Sequence, residues 1–200
     1  MDSVDESLQA GLGPSARTEL PNPGGARAVL ETLTSGIERR LARGVVAGTA
    51  AGLLFLLANM WYADSQGMPA VAPLWDISTI FHFADTPDPT PENLAVGLTV
   101  HLTLSAAFGA ALAVVAPLVR GRTMMFGAGA LFGLVLYVVN FQILGRLFFE
   151  WFQEGPNQTF EVIAHLGYGL VLAPFMGDLA APKPTEAHRR APTTESAARA

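Results

Sequence analysis

The sequence predicts an all-α protein whose four long helices cross a membrane as a bundle. Half of its residues are hydrophobic and only 14% are charged. The charged residues lie almost entirely outside four apolar stretches of the chain, a distribution typical of a protein embedded in a bilayer. Each stretch holds roughly 19–23 residues, enough at ~1.5 Å per residue to cross ~30 Å of hydrocarbon. The predicted spans are residues 44–62, 94–116, 124–144 and 159–177.

The composition also excludes several classes of protein. A net charge of −5 and a pI near 5.3 argue against nucleic acid as a partner, because no basic face is available to neutralise phosphates. The absence of cysteine excludes disulfides, thiolate metal sites and iron–sulfur clusters. No Walker A, HExxH or GxSxG motif is present, so we expect a protein that is not an enzyme.

Two segments precede the first span. Residues 1–26 are rich in Gly, Pro and Ser and contain no apolar run, which predicts a disordered cytoplasmic tail without a signal peptide. Residues 27–43 carry Leu and Ile at helical spacing, with Arg and Glu at the other positions. This pattern predicts an amphipathic helix on the membrane surface. The alternative is an ordinary helical extension of the first span.

The basic residues predict how the chain threads through the membrane. Of the twelve Lys and Arg residues, eleven lie before the first span, between the second and third spans, or after the fourth; Arg146 is the exception. The positive-inside rule therefore places both termini in the cytoplasm. The C-terminal residues, 178–200, are predicted to form a second disordered tail. The connections 64–93 and 145–158 face outward. Because Arg outnumbers Lys eleven to one, we expect the inner membrane of a bacterium.

The outer connection 64–93 contains two local signals. The short apolar run at 73–81 is too short to span a bilayer and predicts an interfacial or re-entrant segment. At the end of the connection, Thr90 is a suitable cap, Pro91 fits the first helical position, and Glu92 complements the helix dipole. These three residues predict the start of the second long helix.

The sequence contains an internal repeat. When residue i of the first span is placed on residue i+81 of the third, five pairs are identical: Ala47 and Ala128, Gly48 and Gly129, Gly52 and Gly133, Leu53 and Leu134, Asn59 and Asn140. The spans that follow carry His-Leu at 101–102 and at 165–166. These matches predict two helix hairpins of the same direction, and ligand sites in such proteins tend to form between the repeats.

Glycines recur every four residues in both odd-numbered spans. They are Gly44, Gly48 and Gly52 in the first span and Gly129 and Gly133 in the third. Small residues at this spacing form a groove that a second helix can approach closely. The partner is either another span or a second copy of the chain, so a homo-oligomer through these grooves is one prediction.

Polar residues within the spans are the candidate site, because such groups are costly in hydrocarbon and usually face the interior of the bundle. They are Asn59, His101, Asn140, Gln142, Glu161 and His165. His101 and His165 fall about 10 Å from the outer boundary, with the two Asn close to the same depth. Glu161 and His165 are four residues apart, so they share a helix face on which the carboxylate could accept a hydrogen bond from the imidazole.

Three interpretations of this polar layer remain open. The side chains hydrogen-bond across helices and specify packing. Alternatively, they line an outward-facing pocket for a proton, a cation or a small polar solute. In the third, His101 and His165 ligate a haem, or bind Zn²⁺ together with Glu161 and His82.

The order of these features resembles a known group. A Gly-rich first span, the outer run PLWDISTIF, a His-bearing second span and a last span with His-Leu-Gly-Tyr-Gly-Leu-Val-Leu resemble the YagU-like bacterial inner-membrane proteins. The resemblance covers residues 44–177. It implies a four-span inner-membrane protein and implies no particular activity.

Overall fold

A computed structural model describes residues 23–179 of the chain, and over these residues the protein is helical with no strand. The helices are α1 (Pro23–Thr34), α2 (Ile37–Ser65), α3 (Ala72–His82), α4 (Pro91–Val115), α5 (Arg122–Tyr137), α6 (Arg146–Phe148), α7 (Trp151–Glu154) and α8 (Gln158–Met176). A 3-10 turn, Ala116–Leu118, extends α4, and a π-helix, Val138–Gly145, joins α5 to α6.

Four of these helical units are long and apolar enough to cross a membrane: Ile37–Ser65, Pro91–Leu118, Arg122–Phe148 and Gln158–Met176. The predicted fold class, an all-α bundle of four membrane-spanning helices, is therefore confirmed. The run at 73–81 lies in α3, which has only 11 residues and is not one of the four. The predicted tails at 1–26 and 178–200 lie outside the described residues, except for 23–26 in α1 and for 178–179.

The segment predicted as one amphipathic helix, residues 27–43, is divided between two helices. Gly36 separates α1 from α2 and has a φ of 64°, a left-handed conformation that favours glycine. Residues 37–43 form the first turns of α2, so this part is an extension of the first span. Arg40 folds back and donates hydrogen bonds to the carbonyl oxygens of Thr32 and Leu33, which satisfies acceptors at the end of α1.

The start of α4 is the one that the sequence predicts. The side-chain oxygen of Thr90 accepts a hydrogen bond from the main-chain N–H of Asn93 at 3.3 Å, and Pro91 is the first helical residue. At α8, Asn157 caps in the same way by accepting from the N–H of Phe160 at 3.0 Å. Both helices begin at the same end of the bundle, called here the α3 end: Gly97 of α4 lies against Leu74 of α3, and Phe160 of α8 stacks on Tyr62 near the end of α2.

The long helices form two antiparallel hairpins, α2 with α4 and α5 with α8. Each hairpin closes on glycines. A Cβ atom added at Gly48 would overlap with the carbonyl oxygen of Ser105, and one at Gly129 would overlap with the carbonyl oxygen of Gly169. The predicted grooves are thus filled by helices of the same chain.

Gly52 and Gly133 show that the two hairpins repeat in three dimensions. Gly52 lies against Ser105 and His101, and Gly133 lies against the carbonyl of His165. The offset of 81 residues between the odd-numbered helices is therefore matched by equivalent contacts with the helices that follow them. The hairpins run in the same direction, as the sequence predicts.

Helices α2 and α8 join the hairpins. Tyr62 stacks on Phe160 at a centroid distance of 4.0 Å at the α3 end, while Arg43 and Arg122 both lie 3.3 Å from Asp178 at the opposite end. An apolar core fills the half near Asp178; it includes Ala47, Ala51, Leu112, Ala113, Met125, Leu172 and Met176. Among the described helices, α4 and α5 do not pack along each other.

Candidate functional site

A cavity of about 330 Å³ lies between the two hairpins at the α3 end of the bundle. Its walls come from α2, α4, α5 with its π-helix, and α8, and residues of α3 and α7 complete it. The five residues of the sequence-based candidate pocket all line it: Asn59, His101, Asn140, Glu161 and His165. The structure thus brings the polar residues of four separate helical segments to one place.

His101 is tied to the neighbouring helix. It is buried, and its Nε2 lies 2.8 Å from the carbonyl oxygen of Gly52. Because a carbonyl oxygen can only accept, the imidazole donates from Nε2, and the absence of a side chain at Gly52 leaves room for the neighbouring Ser105. In the neutral ring, Nδ1 is then the nitrogen with a free lone pair.

His165 is held by its own helix. Its Nδ1 donates to the main-chain carbonyl oxygen of Glu161 at 2.8 Å and lies 3.6 Å from the side-chain oxygen Oε2 of the same residue. Both residues are buried. The prediction that they share a helix face is confirmed, but the imidazole bonds to the main chain rather than to the carboxylate. Glu161 also lines the cavity.

Phe55 contacts both imidazoles, a role that the sequence does not predict. Its ring stacks with that of His101 at a centroid distance of 5.9 Å and meets that of His165 edge-on at 4.9 Å. One phenylalanine among many in an apolar span gives no signal for such a position. A side chain of α2 therefore joins the two histidines, which come from α4 and α8.

Asp76 is a second residue that the sequence analysis missed. It lies in α3 within the short apolar run, and its carboxyl group lines the cavity together with Glu161, close enough for the two groups to interact electrostatically. Burial raises the pKa of Asp76 from 3.8 to about 6, because a carboxylate loses hydration there. A carboxylate inside an apolar run was the available signal.

The other polar residues differ in their contacts. Asn59 donates to the carbonyl oxygen of Phe55 at 3.1 Å, and Asn140 lies on the π-helix, a feature often found at functional sites. Gln142 is not part of the cavity lining and donates to the hydroxyl of Tyr137 at 2.7 Å. The buried indole N–H of Trp151, at the cavity wall, has no acceptor among the described residues.

The predicted metal ligands are not grouped as a metal site, although His101, Glu161 and His165 line the same cavity. Among the residues that the structure describes, no three His, Asp or Glu side chains are grouped so as to hold a metal ion. His82 points elsewhere, with its Nε2 3.0 Å from the side-chain oxygen of Asn93. His101 and His165 each use one ring nitrogen for a main-chain carbonyl, and Phe55 contacts both rings.

The lining as a whole is acidic and aromatic. Its titratable residues are Asp76, His101, Glu161, His165 and Tyr168, and within the described part of the chain no Lys or Arg lines it. The aromatic residues are Phe55, Phe108, Phe141, Phe149, Trp151, Phe152 and Tyr168. The wall of the cavity therefore contains carboxyl residues and aromatic rings.

Comparisons of the chain with protein-family models, curated proteins and solved structures give no match. The resemblance to YagU-like proteins accordingly stays a prediction.

Proposed function

We propose that this protein is a non-enzymatic, multi-pass protein of the bacterial inner membrane whose cavity, open to the outer side, binds a small cation in exchange for protons. One observation carries the proposal: the carboxyl groups of Asp76 and Glu161 line one cavity that no Lys or Arg of the described chain neutralises.

Two carboxyl groups in one poorly hydrated space favour a cation. Each ionised group loses hydration and repels the other, so the state in which both are ionised is unfavourable. A cation placed between Asp76 and Glu161 reverses this preference, because it stabilises both carboxylates. Binding a cation and releasing protons are therefore two parts of one equilibrium at this site.

The charge distribution supports access from the outer side. The cavity lies at the end of the bundle formed by the connections 64–93 and 145–158, whose charged residues are mostly acidic. The positive-inside rule assigns this end to the outside. Negative loops around an opening raise the local concentration of cations.

The fluorescence of Trp151 offers a direct test, because this indole lies in the cavity wall. The protein, with Trp61 and Trp75 replaced by Phe, is purified and titrated with tetramethylammonium at constant ionic strength. We expect a saturable change in emission. Asp76→Asn with Glu161→Gln should abolish it, whereas the matched pair Asp85→Asn with Glu154→Gln, two exposed positions, should retain it. The proposal is contradicted if the variant with Asp76→Asn and Glu161→Gln keeps the full change in emission, or if the protein with both carboxyl groups shows no change.

A further inference from the structure

The cavity has an apolar side between α4 and α5. These helices flank it from opposite hairpins, each packed on its own partner and not along the other. The facing residues are Leu104 and Phe108 on α4 and Leu136 and Val139 on the α5 side. Of the described helices, α2 and α3 pack along α4 and α8 packs along α5, and Val139 is exposed beside the gap, which lies within the membrane-spanning part of both units. The gap therefore connects the cavity to the bilayer rather than to water.

Aromatic side chains decide which kind of cation fits. Metal cations such as Ca²⁺ require several oxygen ligands at short range, and in this cavity most of the wall is carbon. Phe141 and Phe152 meet edge-to-face at 5.1 Å, and Trp151 packs on Phe152 at 4.1 Å. Ring faces beside carboxyl groups are the chemistry that recognises ammonium and quaternary ammonium groups.

From these two observations we infer that the occupant is an amphiphilic organic cation whose ammonium head lies between Asp76 and Glu161 and whose apolar chain leaves through the gap between α4 and α5. The inference rests on the proposed cation-binding function and adds the chemical class of the ligand and its route. Its head group meets the carboxyl groups and the aromatic rings, and its chain meets Leu104 and Val139 before it reaches lipid.

The size of the cavity is consistent with a ligand whose head group lies inside and whose chain lies in the gap. A volume of about 330 Å³ is at the lower end of the range for sites that enclose small molecules, ~300–1,000 Å³. It holds a head group and the first part of a chain but not a whole amphiphile. The remainder of the chain has to extend through the gap, where the surroundings are hydrocarbon.

Proton release gives the binding a predictable pH dependence. The other titratable groups that line the cavity with Asp76 are His101 from α4 and Glu161, His165 and Tyr168 from α8. Burial raises the pKa of Asp76 to about 6, and a bound cation favours its ionised form. A permanent cation therefore binds more weakly as the pH falls below 6, because a proton must leave first.

The test compares the affinities of two probes, tetramethylammonium and decyltrimethylammonium, for the protein in lipid nanodiscs. The affinity of decyltrimethylammonium is corrected for its partition into lipid. We expect decyltrimethylammonium to bind more than about tenfold tighter, since a tenfold gain needs only ~1.4 kcal/mol from chain contacts. Val139→Trp and Leu104→Trp, which narrow the gap from its two sides, should remove most of this gain in the affinity of decyltrimethylammonium over tetramethylammonium. Val135→Trp is the matched control, because Val135 is exposed on the same helix and does not line the cavity.

The outcomes separate the two proposals. If tetramethylammonium binds but the decyl chain adds nothing, or if both Trp variants in the gap keep the full gain, the amphiphile and its lateral route are wrong while cation binding stands. If neither probe binds the unaltered protein, both proposals are wrong. Saturable tetramethylammonium binding in a Trp variant also shows that the variant is folded.

Discussion

His101 donates a hydrogen bond from Nε2 to the main-chain carbonyl oxygen of Gly52 at 2.8 Å, and this contact joins α4 to α2 beside the cavity. His165 occupies the matching position of the second hairpin but donates to Glu161 of its own helix. The two histidines are thus equivalent in the repeat and different in their bonding. Both imidazoles line the cavity, but only that of His101 bonds to a second helix.

This difference predicts unequal effects on stability. His101→Leu should lower the free energy of unfolding by about 0.6–2 kcal/mol, the range for hydrogen bonds between helices in membranes. His165→Leu should cost less, because a bond within one helix is lost and Leu is favourable in hydrocarbon. Unfolding in mixed micelles with increasing dodecyl sulfate measures both. Equal losses would show that the bond to Gly52 has no special role.

The glycine contacts give a second prediction. Gly48→Ala and Gly169→Ala should each destabilise the bundle by about 1–3 kcal/mol, because the added methyl group overlaps with a main-chain carbonyl of the facing helix. The matched controls are Gly127→Ala and Gly167→Ala, where nothing lies within 4 Å of the added Cβ atom. These controls should be neutral or stabilising, since Ala is the better helix former. The same unfolding assay compares all four, and a common response would remove the argument from close packing.

Much of the fold could be predicted because a bilayer constrains the sequence strongly. A span needs a long apolar run, and close helix packing needs small residues at regular spacing. The first and third spans satisfy both requirements, with Gly48 and Gly129 at equivalent positions of their apolar runs. The polar layer followed from the same physics, since Asn59 and His165 are costly in lipid and face inward. These rules act locally, so the sequence reveals them.

The missed features depend on contacts between distant segments. The position of Asp76 is set by α3, which approaches α4 so closely that a Cβ atom at Gly97 would overlap with the carbonyl oxygen of Leu74. The position of Phe55 depends on how α2 fits between α4 and α8. Neither of these helix contacts has a sequence pattern of its own, although a carboxylate inside an apolar run marks Asp76 itself. The π-helix at Val138–Gly145 is likewise invisible in an apolar run with ordinary helical composition.

A third prediction concerns orientation. Cysteines at Asp85 and Glu154 should react with a membrane-impermeant thiol reagent in intact cells, while one at Arg120 should react only after the cells are opened. Arg120 is preferred to Arg122 because Arg122 is paired with Asp178 at 3.3 Å. All three positions are exposed, so differences in labelling report sidedness. Labelling of Arg120→Cys in intact cells would reverse the proposed threading.

The last prediction uses the pKa of Asp76, which burial raises from 3.8 to about 6. Between these values the folded protein holds the Asp76 proton that the unfolded chain has lost, so this residue makes the protein less stable as the pH rises from 4 to 6. Above pH 6 the ionised, half-buried carboxylate should cost about 1–2 kcal/mol, since one pKa unit corresponds to ~1.4 kcal/mol and partial exposure reduces the effect. Asp76→Asn should therefore raise the unfolding temperature at pH 8 and leave it unchanged below pH 4, as measured by circular dichroism in detergent.

The control for this prediction is Asp85→Asn, at an exposed loop position, which should show no difference between the two pH values. If Asp76→Asn raises the unfolding temperature equally at both pH values, the charge of Asp76 is not the cause of the gain, because the carboxyl group is protonated below pH 4.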